Sequence, residues 1–143
     1  MPTEANKQTA LTFLKAMSEA DAATQAECLA PGAFTVTKGF AGVSGTRNRE
    51  TMLATVEAFK DIVPTGFRPK VERVIAEGET VMVEWEGNAQ LCDGTPYCNQ
   101  YVFVFSFENG KIKRLDEYFC TALADRTIMP LLAAKGAELA HGN

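Results

Sequence analysis

The chain has 143 residues, 46% of them hydrophobic, which is enough for one domain with a real core and too little for two. Fourteen basic residues against eighteen acidic ones leave a net charge of −4, so the cationic surface that drives phosphate-backbone binding is missing and a nucleic-acid partner is not expected. The start, Met1-Pro2-Thr3-Glu4-Ala5-Asn6-Lys7, lacks the apolar core of a secretory signal, and no apolar run approaches the roughly 20 residues that span a bilayer. The expectation is a soluble, cytoplasmic protein with no membrane partner.

Ala10, Phe13, Leu14 and Met17 recur at helical spacing and predict a helix over about 4–20. Asp21 caps a second, short helix carrying Ala26, Leu29 and Ala30, which Pro31-Gly32 ends. The β-rich run Ala33 to Thr37 reads as a strand. Gly39, Gly42 and Gly45 then punctuate a loop whose spacing fits neither a dinucleotide fingerprint nor a phosphate loop, so it reads as a flexible turn. Thr46 or Asn48 caps a third helix with Met52, Val56, Phe59 and Val63 on one face, stopped by Pro64.

The second half alternates with period two. Antiparallel strands are predicted at about 67–76, 80–91, 99–108 and 111–120, with turns at Glu77-Gly78-Glu79, at Cys92 to Pro96 and at Asn109-Gly110, the last a strong hairpin signal. A C-terminal helix starts near Ala122 and is interrupted by Pro130, and residues 136–143 are expected to fray. Helices followed by a meander make a single α+β domain with helices on one sheet face. Strand 99–108 is nevertheless apolar on both faces, and Val74 and Met82 add to the outer side. A face of that kind needs cover, which predicts a homodimer through Val74, Met82, Val102 and Val104 with Tyr118 at the rim. The alternative is that the C-terminal helix folds over it.

The chemistry available is narrow. The sole histidine, His141, is third from the end, which removes histidine triads, Cys-His pairs and histidine zinc sites. Cys92 and Cys98 stand at C-x5-C spacing, which is not a metal-ligand spacing, and with Cys28 and Cys120 they read as free buried thiols. No metal and no cofactor are expected. On the last strand, period two sets Leu115, Glu117 and Phe119 on one face. A carboxylate between two apolar neighbours is either bonded to a buried donor for structural reasons or held in an apolar pocket, where burial raises its pKa and suits it to proton transfer.

The strings Gly94-Thr95-Pro96-Tyr97-Cys98-Asn99-Gln100-Tyr101, Phe107-Glu108-Asn109-Gly110-Lys111-Ile112 and Glu117-Tyr118-Phe119, with the order of elements, resemble the SnoaL-like branch of the nuclear transport factor two-like superfamily over about residues 5–132. Ketosteroid isomerases, polyketide cyclases and limonene epoxide hydrolases belong there. The resemblance implies a conical α+β barrel, a strongly bent mixed or antiparallel sheet wrapped around three N-terminal helices, with a deep apolar pocket. Its catalytic sets are incomplete here. Phe13 stands for the isomerases' oxyanion tyrosine, Thr37 or Lys38 for their base, and Phe103 for their acidic oxyanion donor. The last member of the hydrolases' Asp-Arg-Asp set falls on Glu117, while Trp85-Glu86-Gly87 replaces its Arg-x-Asp. The cyclases' last-strand acid also points to Glu117, but the histidine they use has no counterpart.

These readings nominate Glu117, Tyr101 and Asn99 as the catalytic group, with Glu117 moving a proton and the other two holding a substrate oxygen. The substrate-binding wall is predicted as Phe13, Met17, Phe34, Val36, Phe59, Val83, Trp85, Phe103, Leu115 and Phe119. For Tyr101 and Trp85 plain core packing is the alternative. Two functions follow from different classes: a cofactor-free isomerase, cyclase or hydratase acting on a hydrophobic oxygenated ring compound, or a non-catalytic ligand-binding or dimerisation module of the same fold.

Overall fold

The structure, a computed structural model, describes residues 2–136. Its elements in chain order are α1 (Pro2–Ser18), α2 (Ala22–Cys28), β1 (Leu29–Thr37), β2 (Gly45–Asn48), α3 (Arg49–Ile62), β3 (Lys70–Glu77), β4 (Thr80–Gln90), β5 (Pro96–Glu108), β6 (Lys111–Phe119), α4 (Thr121–Arg126) and α5 (Ile128–Lys135). The six strands form one curled, unclosed sheet in the order β2-β1-β6-β5-β4-β3. Every neighbouring pair is antiparallel except β1 with β6, which run parallel, so the sheet is mixed. None of the described helices is long and apolar enough to cross a membrane.

Local chemistry accounts for most boundaries. Asp21 accepts from the Thr24 backbone N–H and Asn48 from that of Thr51, at 3.1 and 2.9 Å, so both helices start on side-chain caps. At the β5–β6 turn Asn109 and Gly110 both take positive φ, 51° and 77°, the backbone that matches a two-residue hairpin to the twist of its strands. Leu29 and Ala30 open β1 instead of ending α2, because α2 closes at Cys28 and its carbonyls are capped from Leu29. The polar tetrapeptide of β2, expected as loop, pairs with residues 34–37 of β1. The C-terminal helix breaks at Thr127, and Pro130 sits in the first turn of α5, where its missing N–H costs nothing. The expected frayed tail lies outside the described residues, apart from Gly136.

Trp85, Tyr101, Phe103, Glu117 and Phe119 share the concave face, since the register sets Trp85 opposite Tyr101, Tyr101 opposite Phe119 and Phe103 opposite Glu117. Helix α1 lays its stripe against this face, with the Phe13 ring edge-on to Phe105 at 5.5 Å. The outer face differs from expectation at one residue. Val74 pairs with Val83 and so faces inward, while Ile75 pairs with Met82 on the outside. Ile75, Met82 and Tyr118 are exposed there. The C-terminal helices do not cover this face: Ala124, Ile128, Met129 and Leu132 point to the interior cavity.

Of the four free cysteines only Cys28 is buried; Cys92, Cys98 and Cys120 are exposed, since the turn and strand ends that carry them lie at the surface.

The joint between α1 and the sheet supplies a test. Gly66 has φ +72°, and a Cβ there would lie 2.7 Å from the Ser18 carbonyl oxygen, beside the bond from Phe67 N–H to that same oxygen. Gly78 has φ +58° but open space around it. Urea unfolding should therefore show Gly66→Ala losing about 2 kcal/mol or more, and Gly78→Ala only the left-handed backbone cost of about 1 kcal/mol.

Candidate functional site

Sheet and helices do not meet everywhere. Near β1 and β6 they leave a cavity of about 120 Å³ to which all five helices contribute: Phe13 and Met17 from α1, Gln25 from α2, Met52, Val56 and Phe59 from α3, Ala124 from α4, and Ile128, Met129 and Leu132 from α5. The sheet side offers Thr35, Thr37, Arg47, Tyr97, Tyr101, Phe103, Leu115, Glu117 and Phe119.

Glu117 is half-buried by area because the surface it keeps is that of the cavity. The Thr37 hydroxyl donates to its Oε1 at 2.9 Å. Arg47, 6% exposed, donates to the Thr37 hydroxyl at 3.3 Å and to the Val43 carbonyl at 2.9 Å, so one guanidinium fixes both the threonine and the loop before β2. Burial pushes the Glu117 carboxyl above the usual glutamate range; the Thr37 hydrogen bond, the Arg47 charge and Thr35 pull it back, and Asp116 adds a small push upward. Burial likewise works against the charge on Arg47, and the Glu117 carboxylate supports it.

The tyrosines form the other polar group. Tyr97 and Tyr101 both line the cavity, and burial raises the pKa of both, that of Tyr101 well above the ordinary phenol. The Asn99 Nδ2 donates to the Tyr97 hydroxyl at 3.2 Å and to the Cys120 carbonyl at 3.1 Å, while its Oδ1 accepts from the Cys120 N–H. Asn99 therefore ties β5 to the start of α4 and braces Tyr97. It does not line the cavity, which corrects its placement as a group holding a substrate oxygen.

Four wall residues also move. Phe34 and Val36 face outward, because the parallel register sets them beside Arg114 and Asp116, while Thr35 and Thr37 fall beside Leu115 and Glu117. The Arg114 guanidinium covers the Phe34 ring at 5.5 Å, so an apolar ring is tolerated outside, and the Thr35 hydroxyl is satisfied inside by the Leu115 carbonyl at 3.1 Å. Val83 and Trp85 are fully buried core residues behind the wall: the Tyr101 ring stacks flat on Trp85 at 3.9 Å and Phe103 meets it edge-on at 5.3 Å, covering it. Phe13, Met17, Phe59, Tyr101, Phe103, Leu115, Glu117 and Phe119 all line the cavity.

Arg47, Thr37, Tyr97 and Gln25 were not among the predicted site residues. Extending the alternation of Asn99, Tyr101 and Phe103 back by two positions would have reached Tyr97. Arg47 gives no such signal, since it lies in a four-residue strand with polar neighbours.

The fold and these residues can be set beside known proteins. A family model described as a SnoaL-like domain matches residues 10–115. An NTF2-like protein of unknown function from Burkholderia pseudomallei superposes with a TM-score of 0.74 at 22% identity, over 87% of this chain and 97% of the other. A protein assigned as a SnoaL-like polyketide cyclase from Jannaschia gives 0.73 at 16%, over 88% and 92%. An epoxide hydrolase of the LEH-like kind from M. tuberculosis gives 0.73 at 19%, over 94% and 99%. No curated protein matches the chain.

The carboxyl makes stability depend on pH in a defined direction. A group whose pKa is raised on folding contributes its stabilisation in full below the unfolded value and loses it as pH rises through the folded one. Glu117→Gln removes that loss. Urea unfolding from about pH 4 to about pH 8 should show the variant gaining on the wild type as pH rises, with the gap levelling once Glu117 is ionised; a gap that narrows instead means the Arg47 charge outweighs burial.

Proposed function

Because the chain belongs to the SnoaL-like family, whose fold houses isomerases, cyclases and epoxide hydrolases, we propose that it is a cofactor-free proton-transfer enzyme acting on a hydrophobic, oxygen-bearing ring compound. The observation that carries this reading is the Glu117 carboxyl, made more basic by burial and held by Thr37 on the wall of an apolar cavity. A base of that kind removes a proton from carbon next to a carbonyl, and the negative charge that develops on the carbonyl oxygen needs a donor.

Tyr97 is suited to that task. Its oxygen accepts from Asn99, and its side chain lines the cavity. With its oxygen accepting from Asn99, the Tyr97 hydroxyl keeps its own proton for an oxygen in the cavity. Returning the Glu117 proton to another carbon completes an isomerisation; passing it to the carbonyl oxygen that the new carbanion attacks completes an aldol-type cyclisation, and in a hydration Glu117 takes the proton from the attacking water instead. Arg47 steadies the carboxylate through its charge and through Thr37. An arginine thus does stand beside the last-strand acid, but it comes from β2 and not from the middle strand.

The second reading, a ligand-binding module without turnover, is favoured by the Thr37 tether on Glu117 and by the apolar character of the remaining wall. A panel of decalones, cyclic enones, polyketide mimics and terpene epoxides separates the two. Glu117→Gln should lower kcat about 10² to 10⁴-fold and Tyr97→Phe about 10-fold or more, with wild-type rates rising as pH passes the Glu117 pKa. Unchanged rates in Glu117→Gln would remove it from the mechanism, and binding without turnover throughout would favour the module.

We further propose that the protein is a homodimer through the outer sheet face. Ile75, Met82 and Val104 form one row across β3, β4 and β5, and Val102 and Tyr118 lie in the next. An isologous contact hides such a patch without extra elements. Light scattering at micromolar concentration should return twice the 15.5 kDa chain mass, and Met82→Glu should shift the population toward monomer.

A further inference from the structure

The cavity wall has a seam where the loop between β1 and β2, residues 38–44, meets α4. Val43 lines the cavity from the loop and Ala124 from the helix. Asp125, the next residue of α4, closes the seam: its two carboxylate oxygens accept from the N–H groups of Gly42 and Val43 at 2.8 Å each. Gly42 leaves room for this contact, since a Cβ there would lie 3.3 and 3.4 Å from the same two oxygens.

The loop does not need Asp125 for its own turn. The Ser44 hydroxyl bonds the Lys38 carbonyl and accepts from the Ala41 N–H. Among the described residues, however, the backbone of Gly42 and Val43 is held only by Asp125 on the N–H side and by Arg47 on the Val43 carbonyl. The second guanidinium nitrogen of Arg47 bonds the Thr37 hydroxyl, which donates in turn to Glu117. A guanidinium is a rigid planar fork, so fixing one nitrogen fixes the direction of the other.

We propose that Asp125 is a positioning residue for the Glu117 carboxyl: pinning Gly42 and Val43 aims the Val43 carbonyl, which holds Arg47 against Thr37 and so keeps the cation beside the acid. The functional meaning rests on the reading of Glu117 as the base, while the test needs no turnover. The charged and titratable groups around Glu117 are Arg47 from β2, Asp116 on its own strand, and Tyr97 and Tyr101 from β5. Lys38 of β1 pairs with Asp116 at 3.6 Å, and the helices bring only uncharged side chains to the cavity. Loosening Arg47 therefore raises the Glu117 pKa, whereas deleting the Asp125 charge acts directly in the opposite sense. The sign separates the two effects.

The experiment is a carbon NMR titration of the glutamate carboxyls, with Glu117 assigned by Glu117→Gln, in the wild type, Asp125→Asn and Asp61→Asn. Asparagine keeps the size of Asp125 but turns an amide N–H toward one of the two backbone donors. Asp61 ties α3 to Lys135 of α5 and holds no part of the loop, so its loss controls for a general loosening of the helical wall. Expected is a Glu117 pKa higher by about half a unit or more in Asp125→Asn and unmoved in Asp61→Asn. An unchanged or lower value in Asp125→Asn overturns the proposal, as does an equal rise in Asp61→Asn. In an Arg47→Met background, Asp125→Asn should add nothing further; a rise that persists in full overturns the route through Arg47. Should Arg47→Met fail to fold, a crystal structure of Asp125→Asn decides that point: loss of the Arg47–Val43 bond is expected, and its retention overturns the route. Where a compound is turned over, the rising limb of rate against pH should move up with the titration in Asp125→Asn. Absence of turnover throughout removes the catalytic reading and leaves the positioning of Glu117 to be decided by the titration alone.

Discussion

A carboxylate taken out of water is tolerated only where hydrogen bonds and an opposite charge replace its hydration, and the surroundings of Glu117 show how much of this fold is arranged around that requirement. Thr37 reaches Glu117 because β1 pairs parallel to β6 in a register that aligns the two residues. Arg47 reaches Thr37 because β2 pairs antiparallel to β1, with Arg47 opposite Thr35. The same guanidinium bonds the Val43 carbonyl, and the N–H groups of Gly42 and Val43 are in turn held by the Asp125 carboxylate of α4 at 2.8 Å each. One interior charge is thus linked through two strands and a loop to the C-terminal helices.

The rest of the interior keeps this polar cluster apart from water. On the β4–β5 side the rings of Trp85, Tyr101, Phe103 and Phe105 pack on one another, with Phe13 of α1 completing the layer. That packing fills its part of the concave face and confines the cavity to the β6–β1 side, where shorter threonines stand in for large apolar residues. Burial of the tyrosine hydroxyls at the border of the two regions leaves them protonated, which makes them donors and not charges. The polar atoms that remain on the wall are therefore few, and each has a distinct capacity: an acid, a phenol donor and a cation.

The relation to the family is one of shared fold with altered groups. Phe13 and Phe103, which the resemblance sets against the oxyanion donors of ketosteroid isomerases, both pack here as cavity wall. Donors are found instead on β5, two residues before and two after Asn99, and the cation arrives on β2. Structural neighbours at 16–22% identity establish the fold; the chemistry has to be argued from the side chains of this chain.

Much of the architecture could be read from the sequence because it is local. Caps at Asp21 and Asn48, the Asn109-Gly110 turn, and the alternation from Thr80 to Phe119 each depend on residues within a few positions of one another, and they fixed the helices, the meander and the concave placement of Glu117, Tyr101 and Phe119. Only tertiary structure decided the phase of β1. Apolar Phe34 and Val36 would be expected to turn inward, yet the parallel register with β6 sends them out and brings Thr35 and Thr37 in, since those hydroxyls find partners on β6 and the Arg114 guanidinium shelters the Phe34 ring. The same holds for Arg47, Gln25 and the C-terminal helices: their places are set by contacts between segments distant in the chain, and a short polar strand or a lone amide in a seven-residue helix carries no periodic signal of the partner it will meet.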